Sequence, residues 1–323
     1  MMLDDRVDRG GEPPEPTLDV SVVVPAFDEA ESLPELVRRV HAVLSSCGAA
    51  WELIVIDDGS TDDTWLVVAD LHAADERVRG VRFARNYGKA AALAAGFAVA
   101  RGRSVITMDA DLQDDPDEIP GLLARLQEGY DLVSGWKQQR QDSWLKNNSS
   151  KIFNWAAGRM CGLRLHDFNC GLKAYRHEVT RRLRLYGEMH RYVPALAHLD
   201  GFRVTEQPVR HHPRKFGRTK YGWNRFLNGF LDLLTVYFLH ARGASPLHFF
   251  GRIGALFGGV GGLISLYFLL WWLGGGALRV RPILILALVL IVVAVQFISL
   301  GLVAELMVSI RRPEANYRVC DRL

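Results

Sequence analysis

The segment SVITMDADLQDDP, Ser104 to Pro116, joins an apolar run to four aspartates that fall within seven residues. The apolar part has the composition of a short buried strand, and the acids begin where that strand ends. Because Asp109 and Asp111 are two residues apart, both side chains can point to the same side of an extended chain. Crowded carboxylates repel one another, and a divalent cation would remove that cost. A small set of oxygen ligands suits Mg²⁺ or Mn²⁺, which leave positions open for phosphate oxygens.

Three further strand patterns precede this segment, and helical patterns follow them. The strands read DVSVVVPAF, WELIVIDD and VRGVRFARN, and helices such as ESLPELVRRVHAVLSSCG lie between them. This alternation predicts an α/β fold with a mostly parallel sheet and helices on both faces. Ligands of such sheets bind beyond the carboxyl ends of the strands. The side chains predicted at those ends are Phe27, Asp28, Glu29, Asp57, Asp58, Asp109 and Asp111.

Two common kinds of nucleotide site are not expected. No G-x-G-x-x-G follows the first strand, and no G-x-x-x-x-G-K-[ST] is present, so neither a dinucleotide site nor a P-loop is predicted. A nucleotide held by carboxylates and a metal remains. Asp114, Asp115 and Asp117 allow a second interpretation, in which they cap the helix that begins near IPGLLARLQEG.

The apolar content of the chain, 49%, is high for a soluble protein and is concentrated from Pro246 to Ile310. Ile253 to Leu273 is 21 residues long and Ile283 to Ala304 is 22, and neither run contains a charge. Each can cross a bilayer as a helix, and the short connection makes them a hairpin. A buried hairpin of a soluble protein is the alternative. Gly254, Gly258 and Gly262 recur every four residues, which favours close helix packing either within the hairpin or in a homo-oligomer.

Basic residues flank both spans. VRHHPRKFGRTKY, Val209 to Tyr221, precedes the first span, and Arg311, Arg312 and Arg318 follow the second. The positive-inside rule then predicts a multi-pass protein of the cell membrane, with the main domain and both termini in the cytoplasm. The N-terminus shows no export signal. The four widely spaced cysteines contain no Cys-x-x-Cys pair and are expected to be reduced.

The chain is therefore expected to contain five segments. They are a disordered tail at 1–18, a cytosolic catalytic domain at 19–221, amphipathic juxtamembrane helices at 222–245, two transmembrane helices at 246–310 and a cytosolic tail at 311–323. The third segment has apolar residues at helical spacing, which is typical of a helix in the membrane interface, although a plain core helix would show the same pattern.

The quoted strands belong to longer motifs that resemble the family 2 glycosyltransferases of GT-A fold: VVVPAFDEAESLPELV, VIDDGSTDDT, RNYGKAAALAAG and MDADLQDDP. DFNCGLKAYRHEV, GEMHRYVPAL and RKFGRTKYG, together with the hairpin, are similar to dolichol-phosphate mannose synthase and to bacterial polyprenyl-phosphate glycosyltransferases. The resemblance covers about residues 19 to 320. It implies an enzyme that moves a hexose from a nucleotide sugar, of the UDP-glucose or GDP-mannose type, to polyprenyl phosphate at the cytosolic membrane face.

The resemblance also implies roles for particular residues. The nucleotide-sugar set is Pro25, Phe27, Glu29, Asp57, Lys89, Asp109 and Gln113. The ligands of Mg²⁺ or Mn²⁺ are Asp109, Asp111 and Gln113, with Asp111 as the principal ligand. The acceptor phosphate is assigned to Arg140, Arg214, Thr219 and Lys220, and the catalytic set is Asp111, Asp167 and Arg140. Asp167 either acts as a base, orients a sugar hydroxyl or has a structural role. Lys89 either neutralises phosphates, with Arg85, or lies on a solvated face.

A polyprenyl phosphate is already an anionic nucleophile at cytosolic pH, because its second pKa is about 6. We therefore expect a single in-line displacement with inversion and without a covalent glycosyl enzyme. The expected partners are the donor, the acceptor, the bilayer, a downstream flippase and a transferase that uses the lipid-linked sugar; no nucleic acid is expected. The alternatives are transfer to another lipid or a growing glycan, and a non-catalytic membrane scaffold. A processive synthase usually carries a Gln-x-x-Arg-Trp motif, which is absent.

Overall fold

The computed structural model describes residues 16–138, 158, 161–185, 187–213, 246–277 and 282–310. The chain divides into two compact units, one within Met1–Val236 and one within Tyr237–Leu323. The predicted juxtamembrane helices at 222–245 and the tail at 311–323 lie outside the described residues, as does the predicted first tail up to residue 15. The first strand begins at Leu18, which is the last residue of that predicted tail.

The first unit is built on a seven-stranded sheet. Its strands are β1 (Leu18–Ala26), β2 (Trp51–Asp57), β3 (Val78–Arg82), β4 (Gly102–Thr107), β5 (Leu132–Lys137), β6 (Lys173–Arg176) and β7 (Val204–Val209). The strand order is β3-β2-β1-β4-β6-β5-β7. All pairs are parallel except those of β6, which runs antiparallel to both β4 and β5. The sheet is therefore mostly parallel, as the strand and helix alternation predicts.

Helices cover both faces of this sheet. They are α1 (Leu33–Ser46), α2 (Thr64–Ala74), α3 (Lys89–Val99), α4 (Ile119–Gln127), α5 (His177–Arg182) and α6 (Val193–Leu199), with short 3₁₀ helices at Pro116–Glu118 and Met189–Arg191. Successive β1 side chains point to opposite faces. Val23 packs in an apolar cluster with Phe97 of α3, and Val22 packs in a second cluster with Leu36 of α1. The fold class predicted from the sequence is confirmed.

The strand register brings one set of strand ends to a single edge of the sheet. Ala26 at the end of β1 pairs with Asp57 at the end of β2, and Val23 pairs with Thr107 at the end of β4. Thr107 also pairs with Lys173, the first residue of β6. Because β6 is antiparallel, its beginning lies at the edge where the parallel strands end. We call this the carboxyl edge.

The second unit is a hairpin of two long apolar helices, α7 (Pro246–Leu273) and α8 (Pro282–Ile310). Both are long and apolar enough to cross a membrane, and most of their side chains are exposed. The α7 helix begins seven residues before the predicted span because its first two turns, PLHFFGR, continue the helix beyond the uncharged run. Glu305 of α8 accepts a hydrogen bond from the Leu247 amide over 3.2 Å, which satisfies one free N–H at the start of α7.

Glycines of α7 allow the two helices to approach closely. A Cβ on Gly254 would lie 2.8 Å from Ile298 Cγ1, and one on Gly261 would lie 2.8 Å from the Ala287 carbonyl oxygen. A Cβ on Gly258 would lie 3.2 Å from that of Ala294. A Cβ on Gly262, by contrast, would have no atom of the described residues within 4 Å. Gly254 and Gly258, two of the three predicted glycines, therefore lie in the contact between α7 and α8. Gly261 lies in that contact instead of the third, Gly262.

The hairpin contact predicts opposite effects for two adjacent glycines. Gly261→Ala should weaken α7–α8 packing by about 1–3 kcal/mol, because the new methyl group meets backbone rather than a movable side chain. Gly262→Ala should leave stability unchanged or slightly raised, since alanine favours helix and this position is open. Thermal unfolding of the full-length protein in detergent measures both. Equal melting temperatures for the two variants would contradict this packing.

Candidate active site

The turn after β1 is tied to the turn after β2. Asp28 has a φ of 53°, a left-handed conformation that is uncommon for a residue other than glycine. Its amide donates to Ser60 Oγ over 2.9 Å, and its carboxylate accepts the Thr61 amide over 2.9 Å. The Glu29 amide donates to Thr64 Oγ1 over 2.9 Å. Phe27 and Glu29, which are predicted to bind the nucleotide sugar, therefore lie in a turn that hydrogen bonds hold against the GSTDDT segment, Gly59 to Thr64.

Asp57, at the end of β2, combines burial with an unused hydrogen-bond acceptor. Its Oδ1 accepts the Ser60 amide over 2.9 Å. Among the described residues Oδ2 has no hydrogen-bond partner, and Arg82 Nε lies 3.4 Å away. A buried oxygen without a hydrogen bond is costly. This carboxylate is therefore suited to accept a hydrogen bond from a ligand.

A cavity of about 400 Å³ lies beside Asp57, and two of its lining residues, Ser60 and Arg82, are the ones that contact this carboxylate. Its other lining residues are Gly59, Phe83 and Ala84. Gly59 has a φ of 72°, and a Cβ there would lie 2.3 Å from the Arg85 backbone carbon. Glycine is thus required for the β2 turn to approach the segment after β3, and that approach forms one wall of the cavity.

Asp58 fixes the loop that leads to Lys89. Its two carboxylate oxygens accept the Tyr87 amide over 2.7 Å and the Gly88 amide over 2.9 Å. Burial raises the pKa of Asp58, and the two amide hydrogen bonds oppose that change. The sequence predicted that Asp58 lies at a strand end, but it predicted no role for this residue. The structure makes it the residue that orients the first turn of α3.

Lys89 and Asp109 form an ion pair between Nζ and Oδ1. About a third of each side chain is exposed, 30% for Lys89 and 35% for Asp109. Burial alone would raise the pKa of Asp109, but the ammonium groups of Lys89, Lys137 and Lys173 outweigh that effect and hold it well below its usual range. Asp109 therefore carries its negative charge among three positive ones.

Asp111 and Gln113 lie on the same loop as Asp109. The buried Asp111 accepts the Gln113 amide at Oδ1 over 3.2 Å. The Gln113 side chain donates to the His212 carbonyl over 3.4 Å. Leu112, between them, has a φ of 60°, so the chain turns sharply at this point. The three residues predicted to bind a metal therefore lie on one loop, at the carboxyl edge.

The described residues contain no group of three or more His, Cys, Asp and Glu side chains that could hold a metal ion. The two carboxylates Asp109 and Asp111 are a donor set of the kind that Mg²⁺ and Mn²⁺ use together with substrate phosphates and water. The residues therefore fit a divalent ion that shares its coordination with a bound diphosphate.

The remaining acids of the opening segment are matched by the chain's own cations. Lys137 Nζ lies 3.2 Å from Asp114 Oδ1. Burial would lower the pKa of Lys137, but Asp114 raises it. Asp115 contacts Arg39 Nη2 at 2.6 Å and His212 Nε2 at 2.9 Å. It also accepts the Asp117 amide over 3.1 Å and so caps the 3₁₀ helix before α4, as the capping interpretation predicts.

The DFNCG segment packs against Asp109. A Cβ on Gly171 would lie 2.7 Å from the Asp109 carboxylate carbon, and the Gly171 carbonyl accepts Thr107 Oγ1 over 2.9 Å. Lys173 Nζ donates to the Cys170 carbonyl. The buried Asp167 accepts the Asn169 amide over 3.0 Å. The predicted catalytic acid therefore belongs to a loop that lies directly on the predicted metal ligand.

Three site residues were missed by sequence reasoning: Lys137, Lys173 and His190. Lys173 is 3% exposed, and burial lowers its pKa. Burial, with Lys89 and Arg191, lowers the pKa of His190 to about 2, so its imidazole is neutral. The one feature of the sequence that could have indicated Lys173 and His190 is that they lie within the motifs DFNCGLKAYRHEV and GEMHRYVPAL. Their charged surroundings result from tertiary packing.

The predicted acceptor residues Arg140, Arg214, Thr219 and Lys220 lie outside the described residues. Arg210, a described residue of the same VRHHPRKFGRTKY stretch, pairs with Glu118 at 2.7 Å and lies 3.6 Å from Asp115. Its charge is therefore balanced by these two acids. Cys47, Cys161 and Cys170 are free thiols, as expected.

Asp115 predicts a stability effect that depends on pH. Burial would raise its pKa, but the hydrogen bonds from His212 and Asp117 and the charges of Arg39 and Arg210 lower it. A lowered folded-state pKa adds stability above the ordinary aspartate value, about 3.9, and that stability is lost as the pH falls below it. Asp115→Asn should therefore cost about 3 kcal/mol at pH 7 and less in acid.

Denaturant unfolding at pH 7 and at lower pH measures this effect, with Asp117→Asn as the control. The Asp117 side chain is 54% exposed, so its variant should stay within about 0.5 kcal/mol of the wild type. An Asp115 variant as stable as the wild type at pH 7 would contradict the structural role.

Solved structures share this architecture. Glucosyl-3-phosphoglycerate synthase from Mycobacterium tuberculosis in complex with UDP superposes with a TM-score of 0.51 at 21% identity, over 69% of this chain and 80% of that one. Its complex with Mn²⁺ and UDP-glucose gives a TM-score of 0.50 at 22% identity, over 69% and 79% of the two chains. At this identity the likeness shows the fold alone, and the fold is GT-A.

Sequence similarity defines the family. Residues 21–184 match the family described as Glycosyl transferase family 2. Dodecaprenyl-phosphate galacturonate synthase of Rhizobium johnstonii is 41% identical over 310 residues, which cover 93% of this chain and 90% of that protein. An undecaprenyl-phosphate 4-deoxy-4-formamido-L-arabinose transferase of Salmonella dublin is 38% identical over 293 residues, 90% and 88% of the two chains. The chain belongs to glycosyl transferase family 2 and is an enzyme, which confirms the resemblance.

Proposed function

We propose that this enzyme transfers a sugar from a nucleotide sugar to a polyprenyl phosphate at a membrane surface. The observation that carries this proposal is the extent of the similarity: relatives named for polyprenyl-phosphate sugar transfer match 90–93% of the chain. The match is therefore too long to be confined to the catalytic domain, which ends before the apolar hairpin. An acceptor that is itself a lipid would explain why the enzyme carries this apolar hairpin.

The donor site is proposed at the carboxyl edge beside Asp57. The unused Oδ2 would accept a hydrogen bond from the nucleobase, and the adjoining cavity of about 400 Å³ offers space for the base or ribose. Pro25 lies near the end of the neighbouring strand β1, Phe27 and Glu29 follow that strand, and the three would complete the pocket. The expected hexose donors, UDP-glucose and GDP-mannose, remain predictions. The names of the relatives add galacturonate and 4-deoxy-4-formamido-L-arabinose as sugars to test.

A divalent metal, Mg²⁺ or Mn²⁺, would be held by Asp109 and Asp111 with Gln113 beside them. When bound, it would neutralise charge on the departing diphosphate. The mycobacterial synthase of the same fold was solved with Mn²⁺ and UDP-glucose. Lys89, at the start of α3, and Arg85 would contribute positive charge to the same phosphates.

The acceptor side is proposed from the chemistry of its phosphate. The phosphate oxygen is already a nucleophile, so the protein has to position it behind the anomeric carbon. Arg140, Arg214, Thr219 and Lys220 are the proposed anchors of that phosphate. Asp167 is proposed to orient a sugar hydroxyl or to act as a base, since its loop lies against Asp109.

The proposed setting is the cytoplasmic face of a membrane that both α7 and α8 cross. The basic flanks of the hairpin favour this orientation. A flippase and a transferase that uses the lipid-linked sugar would act on the product. A homo-oligomer formed through the hairpin remains a prediction, and Gly254 and Gly258 are already used within one chain.

Radiolabelled transfer tests the function directly. Full-length protein in detergent is supplied with polyprenyl phosphate, Mg²⁺ or Mn²⁺ and one nucleotide sugar from a panel that includes glucose, mannose, galacturonate and 4-deoxy-4-formamido-L-arabinose donors. We expect a product that extracts into organic solvent from one donor and that disappears with EDTA. Asp111→Ala should lower the rate at least about 100-fold, because it removes the proposed principal metal ligand.

Asp117→Ala is the matched control, since it removes an exposed acid from the same segment and should retain wild-type transfer. Absence of product from every donor, with nucleotide binding intact, would move the acceptor to another lipid or a growing glycan. Product formation that persists in EDTA would overturn the metal assignment alone.

A further inference from the structure

The proposed metal ligand Asp109 already has a cationic partner. Lys89 Nζ pairs with Asp109 Oδ1, and Lys137 and Lys173 lie near enough to act on the same carboxylate. Lys137 also contacts Asp114, and Lys173 also contacts the Cys170 carbonyl. A divalent ion that binds Asp109 must therefore displace Lys89 or tolerate its repulsion at short range.

The metal site is also incomplete without a substrate. The described residues contain no cluster of three or more acidic, His or Cys ligands. Asp111 Oδ1 accepts a hydrogen bond from Gln113, so part of its acceptor capacity is in use. Phosphate oxygens would supply the ligands that the protein does not. Competition from Lys89 and a short ligand set both make binding of the metal alone weak.

Lys89 is placed to change partners with little rearrangement. It is the first residue of α3, where the helix N-terminus favours an anion. Asp58 holds the amides of Tyr87 and Gly88, so the backbone before Lys89 is fixed and only its side chain has to move. That side chain is 30% exposed and thus reaches the open edge of the sheet.

We propose that Lys89 is an exchangeable counter-ion, which neutralises Asp109 in the empty site and moves to the donor diphosphate when a divalent metal takes Asp109. The inference rests on the proposed function, which supplies the diphosphate and the metal. Asp109 then has a positive partner before and after the exchange, and the bound diphosphate gains one. Metal and nucleotide then strengthen each other's binding, and by thermodynamic linkage the coupling is reciprocal.

Mn²⁺ binding tests the exchange without any transfer reaction. Free Mn²⁺ is measured by electron paramagnetic resonance with full-length protein in detergent, alone and with saturating UDP, GDP or inorganic pyrophosphate. Lys89→Met should tighten binding of Mn²⁺ alone about tenfold, because the competing ammonium is gone. The factor by which the diphosphate tightens Mn²⁺ binding should fall about tenfold, within the usual range of coupling between sites.

Two further variants serve as controls. Lys89→Arg keeps a cation beside Asp109 and should retain weak binding of Mn²⁺ alone. Arg103→Met removes an exposed positive charge near the start of β4, at the opposite edge of the sheet, and should change neither quantity by more than about twofold. Lys89→Gln is a second test of the exchange should the methionine variant unfold, and thermal unfolding checks each protein.

Unchanged or weaker binding of Mn²⁺ alone in Lys89→Met would overturn the proposal, because Lys89 would then not compete for Asp109. An unchanged coupling factor would overturn it as well, since the phosphate oxygens alone would explain the linkage. Neither result depends on the acceptor or the sugar. The Mn²⁺ measurement can therefore be interpreted even when no donor supports transfer. Normal transfer with an unchanged coupling factor would reject the exchange and leave the proposed function standing.

Discussion

Negative charge collected at one edge of a sheet requires positive charge at fixed positions nearby, and the catalytic unit depends on that constraint. Three of the four aspartates that directly follow β4 contact a cation from another element: Asp109 with Lys89 of α3, Asp114 with Lys137 of β5 and Asp115 with Arg39 of α1. Such pairs add little net stability, because desolvation offsets attraction. These pairs connect the acidic loop to three separate elements, α3, β5 and α1.

The single antiparallel strand gives the site its second half. A parallel β6 would place Lys173 at the far edge of the sheet, whereas the observed direction places it opposite Thr107 at the end of β4. The same reversal brings DFNCG over Asp109, and Gly171 is the residue that allows this contact. Hence Gly171 and Lys173 lie close to Asp109 although more than fifty residues separate them from it in the sequence.

The sequence predicted what depends on local periodicity. Apolar strands that alternate with helical patterns indicated the parallel sheet, the acids at its carboxyl edge and the hairpin. It could not predict the direction of β6, since KAYR is too short to show a pattern. It also could not decide between a metal and a cap for Asp115, because the deciding contacts from Arg39 and His212 come from remote parts of the chain.

The hairpin shows a related limit, because glycines repeated every four residues drift around a helix by about 40° at each step. Gly254 and Gly258 therefore face α8, while Gly262 has rotated away and Gly261 returns to the contact.

The acids of the carboxyl edge fall into two electrostatic kinds, and the difference bears on how a donor would bind. Asp57 is buried, and its Oδ2 has Arg82 Nε at 3.4 Å but no hydrogen bond among the described residues, so a hydrogen-bond donor on the ligand can bind there. Asp109 is already paired with Lys89, so a cation that reaches it must displace Lys89 or tolerate its repulsion. Asp57 thus has an oxygen open to a hydrogen bond from a ligand, whereas under the proposed exchange Asp109 changes its partner. Under the proposed exchange, a ligand with both a base and a diphosphate would hydrogen-bond to Asp57 through its base. Its diphosphate would then provide the new partner for Lys89.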